Sequence, residues 1–162
     1  MEIRTIEPRD FVEVATLENQ NWTLKETPHL MAATAEQIMN KVLSGTTYLV
    51  AIEDEKIVGV LDYKPRHPSK YGNHVVTFGL VTDEKARQHG IATRLIEKCF
   101  ECAKNEGFKK VTIQVLGTNK KALQLYKKIG FVQEAQLKNE FLIHGEYVDD
   151  DYFAYYLDSQ MP

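Results

Sequence analysis

A polar turn between a strand-like segment and an amphipathic helix carries the residues whose types best suit chemistry. It runs Arg87-Gln88-His89-Gly90-Ile91-Ala92-Thr93. The first amides of a helix have no partners within that helix, and together with the helix dipole they bind anions. Gly90 and Ala92 are small enough for a phosphate to approach the backbone, and Arg87 and His89 could add positive charge. The segment therefore predicts a phosphate site, although an ordinary strand-to-helix turn would contain the same glycine.

Two better-known phosphate motifs are missing from the sequence. A dinucleotide site needs Gly-x-Gly-x-x-Gly, and a P-loop needs Gly-x-x-x-x-Gly-Lys-[Ser/Thr]. A second informative segment follows instead, Asn119-Lys120-Lys121-Ala122-Leu123-Gln124-Leu125-Tyr126-Lys127-Lys128-Ile129-Gly130-Phe131.

These two segments together resemble the GNAT superfamily of N-acetyltransferases. The first is similar to the family's Arg/Gln-x-x-Gly-x-Gly/Ala pyrophosphate signature, and the second to its Asn-x-x-Ala-x-x-Leu-Tyr-x-x-x-Gly-Phe segment. They occur in the family's order with a strand between them. The resemblance implies acetyl-CoA as co-substrate, no metal, and transfer to the primary amine of a small molecule, an amino acid or a protein N-terminus. A non-catalytic acyl-CoA-binding sensor is the alternative.

The same resemblance implies a role for particular residues. The backbone of Leu80, Val81 and Thr82 would hold the pantetheine arm, with the Val81 amide as donor to the oxyanion. The pyrophosphate would bind the amides of Gln88, His89, Gly90, Ile91, Ala92 and Thr93. Asn119 and Ala122 would contact the cofactor, and the Tyr126 hydroxyl would lie near the thioester sulfur. From the pattern alone, helix N-capping is the surer role of Asn119, and a tyrosine in the position of Tyr126 is more often a core residue.

The base that takes the amine proton has no single candidate. Residues 74–81 contain no carboxylate. His74 begins this strand and titrates near neutral pH, whereas Asp62 lies on the neighbouring strand. Both residues are candidates, and a chain of water molecules is a third possibility.

The elements that must position these residues follow from periodicity and from glycine and proline. Strands are expected at residues 2–6, 46–52, 56–63, 74–81 and 111–115, and a long hairpin at 131–157. Helices are expected after Asp10, which could cap the first, and at 34–43, 91–106 and 119–129. This order predicts an α/β (α+β) fold: one domain over residues 1–162, with a mixed, mostly antiparallel sheet, a splayed parallel pair and helices on both faces.

Composition excludes several classes of protein. A formal charge of −3 over 162 residues argues against nucleic-acid binding. Neither an apolar stretch of membrane-spanning length nor a signal peptide is visible, so no membrane partner is expected. Cys99 and Cys102 lie inside an apolar helix, which favours core packing over a redox pair and predicts a cytoplasmic protein.

Two further regions bear on the amine acceptor. Residues 145–153 are acidic and aromatic, which would suit a cationic amine, but an exposed edge strand kept soluble by charge explains most of the aspartates. Trp22 lies between the first two helices, where the family covers its acceptor. The final hairpin is also a plausible edge for a homodimer.

Overall fold

A computed structural model describes residues 1–86 and 89–162 of the chain. Its strands are β1 (Glu2–Thr5), β2 (Thr47–Glu53), β3 (Lys56–Pro65), β4 (Val75–Thr82), β5 (Lys110–Leu116), β6 (Val132–Ile143) and β7 (Glu146–Tyr156). Its helices are α1 (Phe11–Asn21), α2 (Ala35–Leu43), α3 (Ile91–Asn105) and α4 (Lys120–Ile129), with short 3-10 helices at Pro8–Asp10 and Glu84–His89. Each predicted element is present, and most bounds differ by one or two residues.

The strands form one sheet in the order β1-β2-β3-β4-β5-β7-β6. Neighbouring strands are antiparallel except for β4 and β5, which are parallel and joined through α3. The expected fold class, a mixed and mostly antiparallel sheet with helices on both faces, is confirmed. The long hairpin ends the sheet, and β6 forms an edge at which pairing of two copies stays a prediction.

Alternation along the strands divides the apolar core between the two faces of the sheet. On one face, Tyr48, Val60 and Val81 pack with residues of α1 and α2. On the other face, Leu61, Val76 and Phe78 pack with residues of α3 and with Tyr126 of α4. The sheet is therefore a central layer whose strand ends can carry a site.

The first helix does not begin as expected. Asp10 occupies the N-cap position of α1, but its side chain makes no cap hydrogen bond there. Its carboxylate instead accepts from Arg4 Nη1 at 2.7 Å and from the Glu7 N–H at 2.8 Å. An ion pair with β1 thus competes successfully with the cap, which a local pattern cannot show.

None of the helices in the described part of the chain is both long and apolar enough to cross a membrane.

Candidate active site

The parallel strands β4 and β5 separate soon after they begin. They pair only at Val75 with Lys110, Val76 with Val111 and Thr77 with Thr112. Beyond Thr77, β4 stays paired with β3 alone. The backbone groups that β4 turns toward β5 are therefore available to a ligand, because buried N–H and C=O groups require partners.

A cavity of about 260 Å³ lies where the two strands have separated. Both strands and the helices beneath them contribute to its wall: Leu80, Val81, Thr82, Ile113, Gln114, Val115, Ala92, Asn119, Ala122, Leu125 and Tyr126. The segment after α1 closes one side through Trp22 and Lys25. Seven residues predicted from the two motifs and the strand before them thus surround one space.

The direction of each β4 amide follows from its ladder with β3. The Arg66 N–H donates to the Val75 carbonyl at 2.9 Å, and the Asp83 N–H donates to the Val58 carbonyl at 2.8 Å. Bonds in an antiparallel ladder alternate, and this register has no irregularity, so Val81 turns its N–H toward β3. Leu80 and Thr82 turn theirs into the gap. The Val81 amide, expected as the oxyanion donor, therefore points away from the gap. The sequence does not reveal the parity of the ladder, so it could not distinguish Val81 from its neighbours.

The amino end of α3 opens beside the same gap. Gly90 joins the 3-10 helix Glu84–His89 to α3 with φ of +71°, a left-handed conformation that favours glycine. Apart from its chain neighbours and the backbone of its own helix, no described atom lies within 4 Å of the position that a Cβ would take there. The first amides of α3 have no partners within the helix, and Ala92 borders the cavity. The expected anion site is therefore continuous with the gap.

A close approach between α3 and β3 holds this helix end in place. A Cβ on Gly59 would lie 2.7 Å from Ile91 Cγ2 and 3.0 Å from Leu95 Cδ1. A larger residue at position 59 would therefore displace the first turn of α3. Gly59 was not among the predicted site residues, although a glycine inside an apolar strand is the signal of such an approach.

The charged residues expected beside the anion are only partly placed. His89 Nδ1 lies 3.3 Å from Glu53 Oε2 at the end of β2, and its side chain is exposed. Arg87 and Gln88 lie outside the described residues.

The helix α4 brings Asn119 and Tyr126 to the cavity. Asn119 Oδ1 accepts from the Ala122 N–H at 3.3 Å, which confirms its capping role. Tyr126 is 5% exposed, and its ring meets Phe78 edge-on at 5.8 Å between centroids. Burial raises the pKa of the phenol above its ordinary value, and no described residue hydrogen-bonds its hydroxyl. Tyr126 thus stays protonated, and its O–H is available to donate a hydrogen bond.

This geometry agrees with a comparison against known families. Residues 11–131 match the model of the Acetyltransferase (GNAT) family. The chain belongs to the GNAT acetyltransferase family. It is therefore an acetyl-CoA-dependent acyltransferase, and the resemblance seen in the two motifs is confirmed.

Individual GNAT proteins are similar to this chain over most of its length. An L-amino acid N-acetyltransferase of Escherichia coli (strain K12) is 33% identical over 115 residues, which cover 68% of each protein. A crystal structure from Streptococcus mutans UA159 superposes with a TM-score of 0.94 at 40% identity, over 98% of this chain and 100% of that one. A putative acetyltransferase of Salmonella typhimurium, solved with its cofactor acetyl-CoA, shares the fold with a TM-score of 0.87 at 16% identity, over 100% and 96%.

A second cavity of the GNAT chain, about 480 Å³, adjoins the first at Trp22, which borders both. Its wall includes Glu18 of α1, Lys41 of α2, Asp62 of β3 and residues 29–33. The side-chain amide of Asn19 holds the segment 29–33 in place. It donates to the Ala33 carbonyl at 2.9 Å and accepts from the Ala33 N–H at 2.6 Å. Trp22 therefore lies where the two spaces meet.

The two side chains expected as candidate bases lie in different places. Asp62 lines the second cavity. His74 precedes β4 at the end that is still paired with β5, and its carbonyl accepts from the Lys109 and Lys110 amides. At about 3.3 Å per residue, six residues put His74 about 20 Å along the strand from Leu80. The structure brings Asp62, but not His74, to the predicted site.

The acidic strand β7 is not an exposed edge, contrary to the interpretation favoured from sequence. Strand β7 lies between β5 and β6, and Asp150 and Asp151 are 4% and 5% exposed. Asp150 accepts from Gln114 Nε2 at 3.1 Å, and Asp151 from Gln136 Nε2 at 2.9 Å. Glutamine amides satisfy the hydrogen-bonding groups of the two aspartates, which allows them to be buried. The burial itself results from the order of strands in the sheet.

The cysteines are part of the packing of α3. Cys99 is 1% exposed in the core, and burial raises the pKa of both the Cys99 and Cys102 thiols. A high pKa disfavours the thiolate on which redox or nucleophilic chemistry depends. The core-packing interpretation of Cys99 is confirmed.

Proposed function

We propose that the chain acetylates the primary amine of an amino acid or of a peptide N-terminus, by direct attack on acetyl-CoA while both substrates are bound. One observation carries this proposal: the cavity opened by β4 and β5 leads from the free amides of α3 past Leu80, and it adjoins a second cavity at Trp22. Acetyl-CoA would occupy the first space and the amine the second, and the putative acetyltransferase of the same fold from Salmonella typhimurium was solved with acetyl-CoA. The Escherichia coli relative, named for L-amino acids, supports that acceptor class.

The cofactor would lie along the gap from its charged end to its reactive end. The pyrophosphate would bind the amides of residues 89–93, with Arg87 and Gln88 beside it. The pantetheine arm would then add to the free side of β4, first at Thr82 and then at Leu80, while Asn119 and Ala122 border it from α4. This direction places the thioester at the end of the gap nearest to the second cavity.

The Leu80 N–H would stabilise the oxyanion, because it points into the gap at the thioester end. A fixed amide donor of this kind contributes about 3 kcal/mol in other acyl transfers. The Tyr126 hydroxyl would protonate the sulfur as the thiolate leaves. Since burial keeps the phenol neutral, its proton is present throughout the working pH range.

Direct attack is favoured over a covalent acyl-enzyme. Among the described residues that line the two cavities there is no cysteine or serine. The buried Cys99 thiol lies in the core that α3 forms with the sheet. An amine nitrogen brought to the thioester therefore needs no intermediate carrier.

Thiol release from acetyl-CoA tests this function. The purified protein is mixed with acetyl-CoA and, separately, with each of the twenty L-amino acids and a set of short peptides with free N-termini. We expect release that depends on the amine, and initial-rate lines that intersect when both substrates are varied. Binding of acetyl-CoA without release by any amine would favour the sensor, and parallel lines would favour a covalent intermediate.

A further inference from the structure

Three polar groups at or beside the second cavity take no part in the steps above. Glu18 comes from α1, Tyr48 from β2 and Asp62 from β3. We call them the Glu18–Tyr48–Asp62 cluster. Glu18 and Asp62 both line the cavity, whereas Tyr48 lies buried beside them.

Strand register places Asp62 directly beside the proposed thioester position. In the sheet Asp62 is opposite Tyr48 on one side and Gly79 on the other, so all three share a face. A Cβ on Gly79 would lie 3.0 Å from Asp62 Oδ1. The carboxylate therefore occupies the space above a residue that has no side chain, one position before Leu80.

Tyr48 presents an unexplained polar atom at this place. The residue is 1% exposed, and its hydroxyl is the one buried side-chain polar atom in the described part of the chain that has no hydrogen-bond partner. Burial raises the pKa of this phenol, and the nearby Asp62 and Glu18 carboxylates raise it further. A buried hydroxyl without a partner is costly, so its place beside two carboxylates indicates a ligand that would complete the group.

The charges around the cluster favour a cation. Burial, followed by the charge of Asp62, raises the pKa of Glu18 to about 7, and Lys41 opposes the shift. Burial raises the pKa of Asp62 to about 6 against Lys41 and Lys64. His29 is the other titratable side chain in this cavity wall. Both carboxyls therefore change charge near neutral pH, and a bound ammonium group would favour their ionised forms.

We propose that the Glu18–Tyr48–Asp62 cluster binds the ammonium group of the acceptor and that the Asp62 carboxylate takes its proton before attack. The inference rests on the proposed function and adds the base that function lacks. Glu18 is a positioning residue that supplies the second negative charge, and the Tyr48 hydroxyl accepts from the nitrogen.

The protons of the reaction balance in this scheme. The ammonium R–NH3⁺ loses one proton to Asp62, and the free lone pair forms the bond to the thioester carbon. The C–S bond breaks, and Tyr126 protonates the sulfur. The nitrogen's second proton returns to Tyr126 through water, and Asp62 releases its own to solvent. A carboxyl whose pKa lies about two units above the ordinary value makes the first transfer about 100-fold less unfavourable.

Carbon-13 NMR of labelled Asp and Glu carboxyls tests the ammonium site without depending on turnover. The wild-type protein and the Asp62→Asn and Glu18→Gln variants are titrated with ethylammonium chloride, and Glu36→Gln serves as control. Glu36 is an exposed carboxylate on α2 that lines neither cavity. We expect ethylammonium to move the titrations of Asp62 and Glu18 to lower pH. Unchanged titrations of these two groups would overturn the proposal.

Kinetics test the proton transfer. With the best amine found by thiol release, Asp62→Asn should lower kcat/KM about 100-fold near neutral pH. The kcat/KM of this variant should recover at higher pH, where the amine itself is deprotonated. Glu18→Gln should shift the acidic limb of the pH profile to lower pH, and Glu36→Gln should leave it in place. An unchanged kcat/KM and pH profile in Asp62→Asn would overturn the role of Asp62. If the wild-type protein releases no thiol but ethylammonium still moves the two titrations, the acetyl transfer fails and the ammonium site stands.

Discussion

The two cavities that adjoin at Trp22 are lined by different kinds of chemical groups. The gap between β4 and β5 offers mainly backbone: the free amides of Leu80 and Thr82 and those at the start of α3. The second cavity offers side chains, and its polar wall comes from α1, α2, β3 and the segment between α1 and α2. A backbone site requires no buried charge, since the strands only separate. A wall with carboxylates does carry a cost, because burial raises the pKa of both Glu18 and Asp62.

This contrast indicates that the two substrates would be recognised in different ways. A cofactor held by amides is bound through groups that every residue possesses, so the motif needs small residues more than particular side chains. An amine bound by carboxylates depends on particular side chains and on pH. Changes in the gap should therefore alter acetyl-CoA binding or the transition state, whereas changes in the second cavity should alter the use of the amine.

The largest effect is expected when a single backbone donor of the gap is removed. Incorporation of the α-hydroxy analogue of leucine at position 80 replaces the amide with an ester and deletes only that N–H. Because this donor faces the proposed oxyanion, kcat should fall about 100- to 1000-fold while acetyl-CoA binding changes little. Steady-state kinetics and calorimetry measure the two quantities.

The matched control is the same exchange at Val81. Its N–H faces β3, so its loss should lower the free energy of unfolding by about 1 kcal/mol and leave kcat nearly unchanged. Equal losses of kcat at positions 80 and 81 would contradict the assigned ladder parity.

A negative charge at the start of α3 should mainly weaken cofactor binding. Ala92→Glu places a carboxylate in the cavity wall beside the proposed pyrophosphate, and charge repulsion of about 2–3 kcal/mol corresponds to about a 100-fold rise in Kd for acetyl-CoA. Isothermal titration calorimetry measures it. Ala92→Gln, of equal size but neutral, separates charge from bulk, and a comparable loss in that variant would argue against an anion at this place.

The acid role of Tyr126 should appear in turnover alone. Tyr126→Phe keeps the packed ring but removes the proton that the leaving sulfur receives. We expect kcat to fall about 10- to 100-fold, at the low end for acid catalysis because a thiolate leaves readily, with an unaltered Kd for acetyl-CoA. Tyr71→Phe is the control, since Tyr71 is 81% exposed. A kcat that stays at the wild-type value would assign Tyr126 to packing.

The smallest expected effect is on the free energy of unfolding, and it should arise from the carboxyls of the second cavity. Since the folded protein raises the pKa of Glu18 and Asp62, folding favours their protonated forms, and stability declines as pH rises from about 4 to about 7. Asp62→Asn removes this cost. Its free energy of unfolding should exceed the wild-type value by about 1–2 kcal/mol at about pH 8, with the difference shrinking toward about pH 4.

Urea unfolding at several pH values measures this difference, with Glu36→Gln as control. A gain that does not depend on pH would mean that the Asp62 carboxyl has an ordinary pKa in the folded protein.

Local residues determined much of this molecule. Gly90 before an amphipathic helix and Asn119 as a cap specified where α3 and α4 begin, and alternating apolar residues specified the strands. The resemblance carried by the two motifs predicted the gap between β4 and β5, and the amides without partners at the start of α3 follow from where that helix begins.

Which groups meet across the sheet depends on the tertiary structure. The parity of the β3–β4 ladder directs the Leu80 amide, and not that of Val81, into the gap. The insertion of β7 between β5 and β6 buries Asp150 and Asp151. Register brings Asp62 over Gly79 and beside Tyr48, while His74 remains at the far end of β4. Contacts of this kind join residues distant in sequence, and they depend on strand order and register, which arise only when the whole core packs.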